Sequence, residues 1–145
     1  MTRAMLALIV LWVLSVPHAV EAQKVWRIGA LLAEDQFMPA VEGFKKKMAE
    51  LGYVEGRNVQ YEVFNAELDR EKLQQFAQKL VQDKPDLLVT SSTTATVPLA
   101  KLTKGTDLPV VFLSAGNPLG LVKSYASSGN NLTGISSASL DLIAK

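Results

Sequence analysis

Four consecutive hydroxyl side chains, Ser91-Ser92-Thr93-Thr94, form the most chemically informative run in the 145-residue sequence. Each hydroxyl donates one hydrogen bond and accepts others. The run stands just before a helical pattern, where free backbone N–H groups and the positive end of the helix dipole favour negative charge. Such a place suits a carboxylate or a polar head group. Local bonding explains the same residues differently: Thr94 or Thr96 caps the helix, and the other hydroxyls bond the nearby backbone. The turn Gly116-Asn117-Pro118 also has two readings, ligand contact or plain capping, since Asn is a favoured N-cap and Pro a favoured first helical residue. Gln36 and Phe37 offer an amide and an aromatic wall to a ligand, or form an ordinary loop.

Catalytic chemistry has less support. The chain has no cysteine, and its single histidine is His18, which falls in a leader segment described below. Beyond that leader there is no thiol nucleophile, disulfide, imidazole base or Cys/His metal site, which excludes a Ser-His-Asp hydrolase. No pair of carboxylates is spaced for acid–base work. Residues 29–34 read Gly-Ala-Leu-Leu-Ala-Glu, and neither G-x-G-x-x-G nor a P-loop occurs anywhere. No cofactor and no structural metal are expected. Fifteen basic residues against 14 acidic ones leave a net charge of +1, and the one basic run, Lys45-Lys46-Lys47, has Glu42 and Glu50 nearby. That is a solvated helix face, so nucleic acid is not an expected partner. The sequon Asn131-Leu132-Thr133 reads better as a turn than as a glycan acceptor.

The first 22 residues read as a signal peptide rather than as part of the fold. Arg3 supplies the positive start, residues 4–16 form an apolar run of 13, and Val20-Glu21-Ala22 places small residues for cleavage after Ala22. The run is short for a membrane span, although an uncleaved anchor is the competing reading. No cysteine follows it, which excludes the usual bacterial lipid attachment. Export to the periplasm is expected.

The rest of the chain must position the polar turns, and its periodicity alternates strands with helices. Residues 25–32 (VWRIGALL) suit a strand buried on both faces. Residues 39–51 place Val41, Phe44, Met48 and Leu51 on one helical face, ended by Gly52 at a positive φ. Residues 58–64 alternate as a half-buried strand near an edge. Asp69 caps a helix to residue 82 that turns Leu73, Phe76, Ala77, Leu80 and Val81 to the core. Residues 86–90 form a third strand and 96–103 a helix with Pro98 in its first turn. Residues 109–113 form a fourth strand, followed by a helix capped by Asn117 that ends before Gly129. This order predicts an open, parallel, doubly wound α/β sheet with right-handed crossovers. Ligands in such sheets bind beyond the carboxyl ends of the strands. The loops at residues 33–38, 91–94 and 114–117 qualify. Residues 132–136 look like another strand, and 139–145 begin a helix that nothing terminates, which reads as a fragment.

Several ordered segments resemble a known family. Leu51-Gly52-Tyr53-Val54-Glu55-Gly56-Arg57-Asn58-Val59 is the strongest. Asp86-Leu87-Leu88-Val89 with Thr93, Pro109-Val110-Val111-Phe112, and Gly129-Asn130-Asn131-Leu132-Thr133-Gly134 follow in order. Together they are similar to bacterial ABC-transporter substrate-binding proteins of the type that includes tryptophan- and tyrosine-binding members. The resemblance implies one lobe of a type I periplasmic-binding fold, in which two lobes capture a small ligand and deliver it to an ABC permease in the inner membrane. It further implies a lobe at residues 23–133 and a hinge crossing with the start of a second lobe at 134–145. Members are about twice the mature length seen here. Thr93 matches a family threonine, whereas Asn117 stands where many members carry aspartate, and residues 117–122 run about two residues short. Both departures weaken the case for an aromatic amino acid ligand. The competing readings are an exported lobe-only sensor or interaction module, and a flavodoxin-like or Rossmann enzyme.

Overall fold

The computed structural model describes residues 24–137; the leader and the helix expected over 139–145 lie outside the described residues. Five strands form one sheet: β1 (Trp26–Leu32), β2 (Val59–Asn65), β3 (Leu87–Ser91), β4 (Val110–Ala115) and β5 (Leu132–Ser136). Every pairing is parallel, in the order β2-β1-β3-β4-β5. Three helices connect them: α1 (Met38–Glu50), α2 (Arg70–Gln82) and α3 (Thr93–Leu102).

The helices divide between the two faces because alternate strand residues point to opposite sides. On one face α1 buries Val41 against Ile28, Ala30, Leu32, Val59 and Val89. On the other, α2 and α3 bring Leu73, Ala77, Leu80, Ala95 and Leu99 onto Leu31, Leu88, Val110 and Phe112. Each large side chain so buried contributes about 1.5–3 kcal/mol. At β1 the approach is close: a methyl group on Gly29 would stand 2.6 Å from Leu80 Cδ2. The helix caps follow residue chemistry. Asp69 accepts from the N–H groups of Glu71 and Lys72 at 2.8 and 3.0 Å, and Gly52 ends the first helix at φ 93°.

Two sequence expectations need correction. The helix expected after Asn117 does not form; residues 117–131 run as turns. Pro118 O accepts from both Leu121 N and Val122 N, which closes one turn, but Lys123 N and Ser124 N then bond forward to Ser128 O and Ser127 O. Ser124 Oγ also accepts from Ser127 N, so short polar side chains outcompete the helix here. The third helix, expected from residue 96, starts at Thr93, which puts Pro98 at the sixth helical position instead of the first turn. β5 pairs with β4 from Leu132 to Ser136 and so includes residues 133 and 134, between which the lobe is expected to pass into its hinge crossing.

Beneath β5, Asn131 Nδ2 donates to Thr103 Oγ1 at 3.0 Å and to Leu108 O at 2.6 Å, tying the strand's start to the end of α3. Gly134 meets β4 so closely that a methyl group there would collide with the Phe112 carbonyl oxygen and stand 2.6 Å from its ring.

Candidate ligand-binding site

Because all five strands run the same way, the loops after β1, β3 and β4 leave from one edge of the sheet. The chain turns from β1 toward β2 on one side and toward β3 on the other, which makes the β1/β3 boundary a switch point. The polar residues singled out by type therefore sit on loops that share this edge, but they are not equally open.

Ser91 closes β3 and Ser92 caps α3. Ser91 is fully buried on the α1 side of the sheet, two residues after Val89, and its hydroxyl has no hydrogen-bond partner. The Thr90 hydroxyl, on the opposite face, is buried and unpartnered as well. Ser92 holds φ 77° and ψ 153°. Its N–H donates to Ser114 O at 3.0 Å, its Oγ accepts from Ala95 N at 3.3 Å, and its carbonyl accepts from Thr96 N and Thr96 Oγ1. The cap is thus Ser92, where residue type alone allowed Thr94 or Thr96.

Thr93 is half-buried, and its Oγ1 accepts from Gly116 N at 3.2 Å. One hydroxyl therefore joins the loop after β3 to the loop after β4. Its own O–H is left to donate. Thr94 is exposed beside it, and the N–H groups of both threonines lie in the first helical turn, where no intrahelical carbonyl reaches them. Gly116 and Asn117 are exposed; Asn117 Oδ1 accepts from Leu119 N at 3.0 Å, so it caps a turn and its Nδ2 is left to donate. In the loop after β1, Gln36 is exposed and donates to Glu34 Oε1. Phe37 packs partly against the α1-side core, so only part of its ring is free for a ligand.

The loop after β2 was missed by residue type. Glu67 and Leu68 both hold positive φ (52° and 64°), and Leu68 is 67% exposed. With Ala33, Arg70 and Thr94 it lines a pocket of about 230 Å³ on the same edge. No glycine or asparagine marks these two positions, so nothing in their type signalled the turn. Counting every loop at the carboxyl edge would have found it. Among the described residues, no group of three or more His, Cys, Asp or Glu is placed to hold a metal ion.

The sequence pattern of the family described as ABC transporter substrate binding protein matches residues 27–143. This chain belongs to that family. A tyrosine-binding protein of Clostridioides difficile strain R20291 is 34% identical over 116 residues, which are 79% of this chain and 33% of that protein. Among solved structures, an ABC domain from Streptococcus pneumoniae in complex with L-Trp is 31% identical with a TM-score of 0.72, matching 78% of this chain and 39% of that one. A conserved domain protein from Vibrio cholerae matches at 27% identity and TM-score 0.73, over 83% and 43% of the two chains. The chain thus spans about a third of its curated relative and about two-fifths of the solved ones. The parallel sheet and its helices are the shared fold.

Proposed function

We propose that this chain is the first ligand-binding lobe of an exported solute-binding protein serving an ABC importer. It takes a small polar or amino-acid-like ligand against the carboxyl edge of its sheet, and a second lobe closes over it. The observation that carries the reading is the Thr93–Gly116 link. It holds two loops together at a helix start while leaving a hydroxyl proton and two N–H groups free. A ligand carboxylate fits there, met by the Thr93 O–H, the backbone N–H groups of Thr93 and Thr94, and the helix dipole. Gln36 and Asn117 Nδ2 supply further polar contacts. Ser91 joins them only if neighbouring side chains shift, because its hydroxyl is closed to solvent. The relatives' tyrosine and tryptophan ligands support an amino-acid-like solute. The function is capture without chemistry, with an inner-membrane permease as partner after leader removal at Ala22.

Open hydrogen bonds keep only about 0.5–1.5 kcal/mol each, against an association cost of roughly 4–15 kcal/mol. This lobe alone should therefore bind at about millimolar strength. Titration of ¹⁵N-labelled residues 23–145 with L-tryptophan and with tryptamine, which lacks the carboxylate, tests the site. L-tryptophan should move the amides of Thr93, Thr94, Gly116 and Asn117; tryptamine should not, and Thr93→Val should abolish the response. Equal responses to both compounds, or shifts at another edge, would overturn the assignment. Micromolar affinity would overturn the need for a second lobe. Mass spectrometry of exported protein should find Gln23 at the N-terminus; Met1 there would overturn the export reading.

A further inference from the structure

Between α3 and the turns of residues 117–131 lies a groove of about 490 Å³. That volume is within the range of small-molecule sites. The segment expected to form a helix runs as turns, and among the described residues one flank of α3 stays uncovered. Val97, Ala100, Leu121 and Leu132 line it, and Lys101 and Lys104 stand at its mouth. Ala100 and Leu121 pack against the core and Leu132 belongs to it, so the floor is apolar. The groove sits at the C-terminal end of α3, whereas the site at Thr93 is at the other end. Along the helix axis Val97, where the groove begins, lies about 6 Å from Thr93, and Lys101 about 12 Å.

The groove combines an apolar floor with a one-signed charge. Lys24, Lys45, Lys47, Lys72 and Lys79 each hold a carboxylate partner. Among the described residues, Lys46, Lys84, Lys101, Lys104 and Lys123 hold none; Lys101 and Lys104 both line this groove, and Lys123 flanks Gly129 on its wall. No Asp or Glu lines the groove. The helix C-terminus favours Lys101 by itself. Lys104 lies beyond α3 but lines the same groove, so both ammonium groups add to the positive potential that an anion would meet there. We propose that this groove is a second binding site, for a small monoanion with an apolar body such as a medium-chain carboxylate. The body lies on Val97, Ala100 and Leu121, and the head bridges Lys101 and Lys104. The inference stands on its own residues and is independent of the ligand assigned to Thr93.

The test uses the ¹⁵N-labelled chain with octanoate, 1-octanol and octylamine. Octanoate should move the amides of Ala100, Gly105, Gly120 and Leu121 while those of Thr93 and Gly116 stay in place. Raising the ionic strength from about 0.02 to about 0.3 M should weaken binding. Lys101→Gln/Lys104→Gln should weaken it at least tenfold, with unchanged Thr93 and Gly116 amides reporting an intact fold; the single substitutions serve if the double variant misfolds. Equal binding of octanol or octylamine, shifts centred on Thr93, or full affinity in the lysine variants would overturn the proposal. Capture by phosphatidylglycerol vesicles without any response to octanoate would overturn it too.

Discussion

Replacing Ser92 separates strain from capping at the candidate site. At φ 77° and ψ 153° this serine occupies backbone space in which glycine alone is comfortable, at a cost of about 1–3 kcal/mol. Ser92→Gly removes that cost. It forfeits the 3.3 Å Oγ bond to Ala95 N, worth only a few tenths of a kcal/mol when glycine replaces the cap. It also frees the unfolded chain, at about 0.4–1 kcal/mol. The balance runs from about zero to about 2 kcal/mol of added stability. Ser92→Ala keeps the strain and loses the cap, a loss of about 0.5–2 kcal/mol. Urea unfolding followed by circular dichroism should therefore rank Ser92→Gly above the parent and Ser92→Ala below it, with m unchanged. The more stable variant should respond less to L-tryptophan, because the glycine no longer fixes the direction of the Thr93 and Thr94 N–H groups. An alanine variant as stable as the glycine variant would refute the strain argument.

Acid sensitivity gives a second test. Backbone N–H donation from Lys72, then from Glu71, together with the Lys72 charge, holds the Asp69 carboxyl below its ordinary value of 3.8. A depressed folded value stabilises above the unfolded one and is lost as pH falls through the folded one. Asp69→Asn keeps the cap, so stability at neutral pH should hold while the fall below about pH 4 becomes shallower in pH-dependent melts. Gly134→Ala should destabilise by at least about 2 kcal/mol in urea, since its methyl group meets the rigid Phe112 carbonyl; a smaller loss would mean that β5 shifts freely. In a two-lobed form, Asn117→Asp keeps the turn bond to Leu119 and adds a charge worth about 1.5–3 kcal/mol to a nearby ammonium. Calorimetry should then show a preference of at least about tenfold for ammonium-bearing over neutral solutes.

Much of this fold was legible because burial repeats with a period. Leu73, Ala77 and Leu80 lie on one helical face and all three are buried. Val59, Tyr61 and Val63 alternate on a strand that proves to be the sheet's edge. Local signals failed where a rival local interaction was equally available. Asn117-Pro118 is a sound helix start, yet the Ser124 hydroxyl bonds both the N–H and the carbonyl of Ser127 and stops the helix. The start of α3 was misplaced because Ser92 makes the turn through a positive φ that serine rarely adopts. The candidate site was legible only as a set of loops on one edge of the sheet. Its central contact, Thr93 to Gly116, spans 23 residues and arises from strand order alone, so no local pattern could contain it.

The two bonds from Asn131 Nδ2 have a consequence for anyone producing this chain in a eukaryotic secretory pathway. Its sequon is formally an acceptor, but both amide hydrogens are already committed to Thr103 and Leu108. An oligosaccharide replaces one of those hydrogens, so the transferase can act only on a chain that has not yet docked β5 onto β4. Glycan occupancy at Asn131 then becomes a clock. Glycosylated molecules are those in which modification outran folding, and they would carry a sugar where the sheet requires a hydrogen bond. Slowing the docking of β5, as Gly134→Ala should, ought to raise the glycosylated fraction.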